Sequence, residues 1–299
     1  MAQHRNTKIG FIGLGLMGTA MVQRLQDLGY PITVIAHRNR KTIDAAVARG
    51  ATEVKTPGEL AELAEIIMIC VNTSAAVESV MRSEMGIFSQ FRPGTLVIDF
   101  GTSLPASTIS MAKECHDKGG SLMDAPLGRT PIHARDGLLN IMAAGEDKDF
   151  IRAKPILEDL GENVFHVGVI GAGHTLKIIN NYFAMTTACV MSEAFAMSDL
   201  AGLKRETLYK VMAAGPLHSG MMDFIKACAV DNNPGQLTFS IANGLKDVGY
   251  YTKMADALNA KSFVSPSVEN VLSSANSSGW GEKYVPEMVN FIASNYAED

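Results

Sequence analysis

Several kinds of chemistry are ruled out by what these 299 residues have little of. The four cysteines, Cys70, Cys115, Cys189 and Cys228, lie far apart, form no Cys-x-x-Cys pair, and each sits in an apolar or helical stretch. The expectation is buried free thiols in a reducing cytoplasm, not a disulfide framework. The seven histidines include no pair at metal-ligand spacing, so no metal site is expected. There is no block of Lys or Arg, and a net charge of -5 gives no general attraction for nucleic acid or an anionic membrane. The most apolar helical stretch, Tyr182 to Leu200, carries Ser192, Glu193 and Asp199, which suits a buried core helix better than a lipid-facing span. The apolar run after Met1-Ala2-Gln3-His4-Arg5-Asn6 is broken by glycines and does not read as an export signal. A cytoplasmic location and small-molecule partners are what these absences leave.

What is present is apolar and periodic. With 47% apolar residues the chain can bury a large core, and its length exceeds the size at which one core usually divides in two. Lys8-Ile9-Gly10-Phe11-Ile12 reads as a strand, followed by a glycine turn and a helix through Met21, Val22 and Leu25 to Gly29. Ile32 to Ala36, Ile66 to Val71 and Thr95 to Asp99 read as further buried strands, alternating with helices such as Thr42 to Arg49. That alternation predicts a parallel sheet with right-handed crossovers. Later strands are expected at Ser121 to Pro126, Leu139 to Ala144 and Val164 to Val167, with a helix from Phe150 to Leu160. From Gly171 strand signals give way to Ala-, Met- and Leu-rich helical segments, the first of them long, from about Gly173 to Leu200. The predicted fold is therefore α/β: a doubly wound parallel sheet of the dinucleotide-binding type over residues 1–165 and an all-helical substrate and oligomerisation domain over 166–299, joined by a long helix. The methionines of the helical half, among them Met185, Met191, Met197, Met212, Met221 and Met222, together with Met17, are scattered as core fillers are.

Three groups of residues carry chemistry. Gly13-x-Gly15-x-x-Gly18 lies between a strand and a helix, the context in which such glycines let backbone approach a pyrophosphate at a helix N-terminus. The plainer alternative is a tight turn without a nucleotide. The end of the second strand, where NAD-binding versions carry an acidic residue for the ribose hydroxyls, holds Ala36 followed by His37-Arg38-Asn39-Arg40. The missing acid and the gained guanidinium forks suit a 2′-phosphate, so NADP is inferred, with NAD as the alternative cofactor and a solvated basic loop as the plainer reading. Finally, Lys177 shares a helix face with Asn181 among Leu176, Ile178, Ile179 and Tyr182-Phe183-Ala184-Met185. Burial there would cost an ammonium free energy and lower its pKa toward neutrality, which makes Lys177 a candidate acid/base. His174, one turn before it, stands where it could modulate the lysine, but a histidine near a helix start is more often satisfied by a backbone group, and it is left outside the catalytic set.

Taken in order along the chain, Gly10 to Gly18, Asp99 to Pro105, Asp124 to Thr130, Gly171 to Asn181 and Lys246-Asp247 resemble the β-hydroxyacid dehydrogenases, a family that includes 3-hydroxyisobutyrate dehydrogenase, tartronate semialdehyde reductase and sulfolactaldehyde reductase. The resemblance spans essentially the whole chain. It implies an NAD(P)-dependent dehydrogenase or reductase with Lys177 as catalytic acid/base and Asn181 holding the substrate or that lysine. Lys246 is then expected near the nicotinamide or its ribose, and Thr102 at the nicotinamide end. The candidate cofactor-binding set is Gly13, Gly15, Leu16, Met17, Gly18, His37, Arg38, Asn39, Arg40, Val71, Asn72, Thr73, Thr102 and Lys246. Relatives form dimers or tetramers, so the apolar helical half is expected to make a homo-oligomeric contact.

Two departures from the family pattern matter. Its usual Ser-Thr after the fifth strand is Gly101-Thr102 here, which leaves one hydroxyl. Where many members carry Ser-Gly-Gly, this chain carries Gly128-Arg129-Thr130, similar to the sulfolactaldehyde reductases. Arg129 offers a charged donor fork and Thr130 a hydroxyl, a pair suited to a three-oxygen anion such as a sulfonate. The alternative is an Arg that packs its stem and pairs with a surface carboxylate. The substrate-binding set is then Thr102, Gly128, Arg129, Thr130, Lys177 and Asn181, and the expected reaction is hydride exchange between NADP and a small anionic semialdehyde or the matching hydroxy acid. Competing readings are a carboxylate-specific dehydrogenase, an imine reductase, against which Lys177 argues, and a non-catalytic NADP-binding sensor.

Overall fold

The structure is a computed structural model and describes residues 3–35 and 40–296. By contact the chain divides into two compact units, Met1–Lys177 and Ile178–Asp299, and the division falls inside one long helix beyond the 165/166 boundary expected from strand signals.

The first unit is built on strands β1 (Ile9–Ile12), β2 (Ile32–Ile35), β3 (Thr52–Val54), β4 (Ile66–Ile69), β5 (Leu96–Asp99) and β6 (Ser121–Asp124). They form one sheet in the order β3-β2-β1-β4-β5-β6. Every pairing in it is parallel. Helices α1 (Leu16–Asp27), α2 (Arg40–Ala48), α3 (Pro57–Leu63), α4 (Ser74–Arg82) and α5 (Pro105–Asp117) make the crossovers. β1, β4 and β5 are buried along their whole length, which is why they read as unbroken apolar runs. Alternate residues of these strands enter opposite cores: Ile9, Phe11, Ile66, Met68, Leu96 and Ile98 pack on one face. Ile12, Ile67, Ile69 and Val97 pack on the other.

The later strands depart from the single sheet that the sequence predicts. β7 (Leu127–Gly128), β8 (Leu139–Ala143) and β9 (Gly161–His166) form a separate three-stranded sheet. β7 runs antiparallel to β8, and a bridge between Asp124 and Ala144 ties this sheet to the end of β6. Helices α6 (Pro131–Asp136) and α7 (Asp147–Leu160) flank its strands in sequence. β3 and β7 were invisible to periodicity because one is a short edge strand, largely exposed, and the other is two residues long.

Helix α8 (Ala172–Leu200) crosses the division. The second unit contains the rest of it with α9 (Arg205–Ala213), α10 (Gly220–Ala229), α11 (Ile241–Ala257), α12 (Ser265–Ala275) and α13 (Met288–Tyr296). Its core interleaves Met185, Met191 and Phe195 of α8 with Ile225, Val248, Leu272 and Met288 from the other helices. Met197, by contrast, is exposed. Gly244 of α11 lies so close to α8 that a Cβ would stand 2.9 Å from the Met185 sulfur. Among the described residues no helix is long and apolar enough to cross a membrane, and no metal-holding cluster of His, Cys, Asp or Glu occurs. The four cysteines are free thiols.

Candidate functional site

The glycine turn does three separate jobs. Gly13 adopts φ +103, and a Cβ there would stand 2.2 Å from the Cys70 carbonyl oxygen, so it permits both the left-handed turn and the close approach of the β1 and β4 ends. A Cβ on Gly18 would meet the Gly13 carbonyl oxygen at 1.9 Å, which explains a glycine where α1 presses on the turn. Gly15 is different, because a Cβ there would meet nothing within 4 Å. It caps α1 without a side-chain hydrogen bond, beside an exposed Leu16, so the first amides of that helix face open space. Such a cradle fits the pyrophosphate of a dinucleotide, which Gly13, Gly15, Leu16, Met17 and Gly18 would hold.

The neighbouring strand ends complete this edge. β1 and β4 are adjacent in the sheet and mark the point where strand order reverses, which is where doubly wound folds bind ligands. Val71, Asn72 and Thr73 follow β4, and Thr73 caps α4 by accepting from the Ala76 amide at 3.1 Å. After β5, a Cβ on Gly101 would stand 2.8 Å from the Val71 carbonyl oxygen and 3.0 Å from an Asp99 carboxylate oxygen. The departure from the family's serine thus has a steric cause, and Thr102 keeps the only hydroxyl of that pair. Burial pushes the Cys70 thiol, at the same edge, up to about 12.

Of the expected 2′-phosphate cluster, His37, Arg38 and Asn39 lie with Ala36 outside the described residues. Arg40 opens α2 and is not presented as a free fork: it pairs with Asp44 at 2.6 Å and with Glu53 of β3.

The start of α8 is fastened to the sheet. Asp124, fully buried at the end of β6, accepts from the Gly171 and His174 amides, both at 2.7 Å. Burial raises the pKa of its carboxyl, while His174 and those two amides act in the opposite direction. Lys177 follows one turn later and is half-buried, not engulfed as its apolar sequence neighbours suggest, because Leu176, Ile179 and Phe183 are all exposed.

Asn181, buried on α8, donates from its amide nitrogen to Asp247 of α11 at 2.6 Å. The other oxygen of Asp247 has the Lys246 ammonium at 2.9 Å, an ion-pair contact without hydrogen-bond alignment. Lys246 also lies over the Tyr250 ring, 5.3 Å from its centroid. Asp247, 1% exposed, was absent from the expected site set although it orders two of its members. Its signal was its place beside Lys246 in the motif.

In the substrate loop the expected anion-binding side chains already have partners within the protein. Arg129 donates through one guanidinium nitrogen to the Leu138 carbonyl at 2.7 Å and to Glu162 of β9 at 2.5 Å, so its fork is engaged by the protein's own acceptors. Thr130 likewise shares a 2.8 Å hydrogen bond with His133. Arg129 has φ +76, a left-handed conformation natural to glycine, which relatives with Ser-Gly-Gly carry there.

Fold and site together define a two-part nicotinamide-dinucleotide enzyme with an acid/base lysine candidate. Residues 8–168 match the NAD binding domain of 6-phosphogluconate dehydrogenase. Residues 171–292 match the NAD-binding domain of NADP-dependent 3-hydroxyisobutyrate dehydrogenase. The chain is 32% identical over 253 residues to 2-hydroxy-3-oxopropionate reductase of Escherichia coli, covering 84% of this chain and 85% of that one. It is 31% identical over 278 residues to 3-sulfolactaldehyde reductase of Escherichia coli, covering 92% of each. The crystal structure of 3-hydroxyisobutyrate dehydrogenase from Salmonella typhimurium shares the fold with a TM-score of 0.84 at 24% identity, over 96% of this chain and 100% of that one. This chain belongs to the β-hydroxyacid dehydrogenase family and is an NAD(P)-dependent oxidoreductase acting between hydroxyl and aldehyde groups.

The glycine turn makes a paired prediction. Gly18→Ala should lose ~2 kcal/mol or more through the clash with Gly13. Gly15→Ala should keep its stability within ~0.5 kcal/mol but weaken NADPH binding about tenfold by filling the cradle. Thermal denaturation and NADPH fluorescence titration check both; normal affinity in Gly15→Ala would refute the cradle.

Proposed function

We propose that the chain is an NADP-dependent reductase of a small semialdehyde bearing an acid group, also able to oxidise the matching hydroxy acid, with sulfolactaldehyde as the first candidate substrate. The observation that carries the reading is the start of α8, where Asp124 fastens the turn that leads to Lys177 and Asp247 fixes Asn181 one turn beyond. The nicotinamide supplies or accepts the hydride when bound. Lys177 gives a proton to the developing alkoxide oxygen, or takes one from the hydroxyl in the oxidative direction. Asn181, immobilised by Asp247, orients the reacting end. Thr102 contributes a hydroxyl at the exit of β5. The choice of NADP is supported by Ala36 in place of an acid and by Arg38 beside it.

The sulfonate reading is supported by Gly128-Arg129-Thr130 and by the similarity to 3-sulfolactaldehyde reductase along 92% of each chain. A carboxylate substrate is favoured by a specific observation, the pairing of Arg129 with Glu162, which turns the guanidinium onto the protein. On that reading the chain acts like the 2-hydroxy-3-oxopropionate reductase it also resembles.

Lys177→Ala should cut turnover by ~10²-fold or more with NADPH affinity nearly unchanged; near-normal turnover would sink the lysine's role. The substrate is tested by NADPH consumption with short semialdehydes carrying sulfonate, carboxylate or phosphate, repeated with NADH. Arg129→Gly should leave stability within ~1 kcal/mol, since relief of the left-handed arginine offsets the lost surface ion pair and the added glycine entropy. Selective loss of sulfonate turnover in that variant supports the first substrate, and an unchanged profile defeats it.

A further inference from the structure

The first turn of α8 is held by a side chain as well as by backbone. A Cβ on Gly173 would stand 2.4 Å from the Met142 carbonyl oxygen and 2.8 Å from Asp124, so this turn lies flush on the ends of β6 and β8. The next residue, His174, has 0% exposure. Its ring fills the corner between α5 and the ends of β5 and β6: Nδ1 lies 2.8 Å from the Thr108 hydroxyl and 3.8 Å from Asp124. Nε2 lies 3.7 Å from Asp99, without a hydrogen-bond partner. Asp99 is itself fixed by the Ser103 hydroxyl at 2.9 Å and the Gly101 amide at 2.8 Å. Of the two readings of this histidine, satisfaction by a backbone group is not what the structure shows: its own N–H is taken by Asp124, and the side chain is paired with the Thr108 hydroxyl.

Volume alone does not explain this residue, because a leucine would fill a dry corner without the desolvation cost of an imidazole. What the imidazole adds is direction. Apolar packing tolerates small rotations, whereas the bond to Thr108 fixes the ring and hence the rotation of the helix about its axis. Lys177 is three residues from His174 and four from Gly173, on the same face one turn along. At a radius of about 8 Å, a helix rotation of about 10° would move the ammonium by about 1.4 Å, the scale on which misplacement of a reacting group costs about 10²-fold in rate.

We infer that His174 is a positioning residue for Lys177: wedged among Thr108, Asp99 and Asp124, it sets the rotation of the first turn of α8 and so the point from which the lysine meets the reacting oxygen. The inference rests on Lys177 being the acid/base of the proposed reaction. All of these residues belong to the first unit.

The test is a double-mutant cycle on the whole protein, with turnover of the preferred semialdehyde, NADPH fluorescence titration and thermal denaturation as readouts. His174→Leu should lower kcat about ten- to a hundredfold while the Kd for NADPH stays within about twofold. His174→Gln, whose amide can still reach Thr108, should recover most of that loss. In a Lys177→Ala background His174→Leu should cost nothing further, because a positioning effect has nothing left to position. A merely structural role would lower kcat equally in both backgrounds, and that result overturns the inference, as does wild-type kcat in His174→Leu. If His174→Leu does not fold, Thr108→Val, which keeps the shape and removes the hydroxyl, carries the same comparison. Normal turnover in Lys177→Ala alone would instead overturn the lysine's assignment, separately from the His174 result.

Discussion

Asp124 is the constraint on which the first unit's chemistry depends. A carboxylate with 0% exposure is costly, and burial raises its pKa accordingly. It is tolerated because it stands at the N-terminus of a 29-residue helix, whose aligned peptide dipoles place partial positive charge there. Two of the amide groups at that helix start, otherwise without intrahelical acceptors, point at it from Gly171 and His174. The acid and the helix start thus satisfy each other. A surface cap could have satisfied the amides as well, but only a cap on the end of a core strand also fixes where the helix begins relative to the sheet. The placement of the first turns of the helix, and with them Lys177, relative to the sheet follows from those bonds.

The same edge of the sheet explains the glycine pattern. Gly13, Gly101 and Gly173 stand where one backbone passes within reach of another, and Gly18 where α1 presses on its own turn. These contacts draw the ends of β1, β4, β5 and β6 together, so residues from four separate motifs share one rim. Gly15 makes no such contact, so no steric demand of the fold accounts for a glycine there.

How much could be read in advance follows from the physics of each element. The buried strands were legible because burial on both faces imposes continuous apolar runs, and α1 and α8 because helices need length. β3 and β7 carry neither mark, being short and, for β3, largely exposed. The site residues were legible as residue types at motif spacing, but their partners were not. Arg129 and Arg40 read as free guanidinium forks; Arg129's acceptor Glu162 lies on β9, 33 residues away, where no local pattern announces it, whereas one partner of Arg40, Asp44, stands at i+4 on its own helix and was legible. His174 and Asp247 were undervalued for the same reason, since a buried polar side chain is defined by what surrounds it.

The contrast between the two arginines and the two buried acids bears on where specificity resides. Asp124 and Asp247 are fully enclosed and hold helix positions, so changing them disturbs everything downstream. Arg129 and Arg40 rest on exposed carboxylates in pairs worth ~0–1 kcal/mol each. An incoming anion can compete for such a fork at little energetic cost, because the charge it displaces returns to water. Arg129 is moreover held at φ +76, a strained state for an arginine that a glycine would relieve. Arg129 thus sits beside the end of β7 on an exposed partner, whereas Asp124 and Asp247 are enclosed.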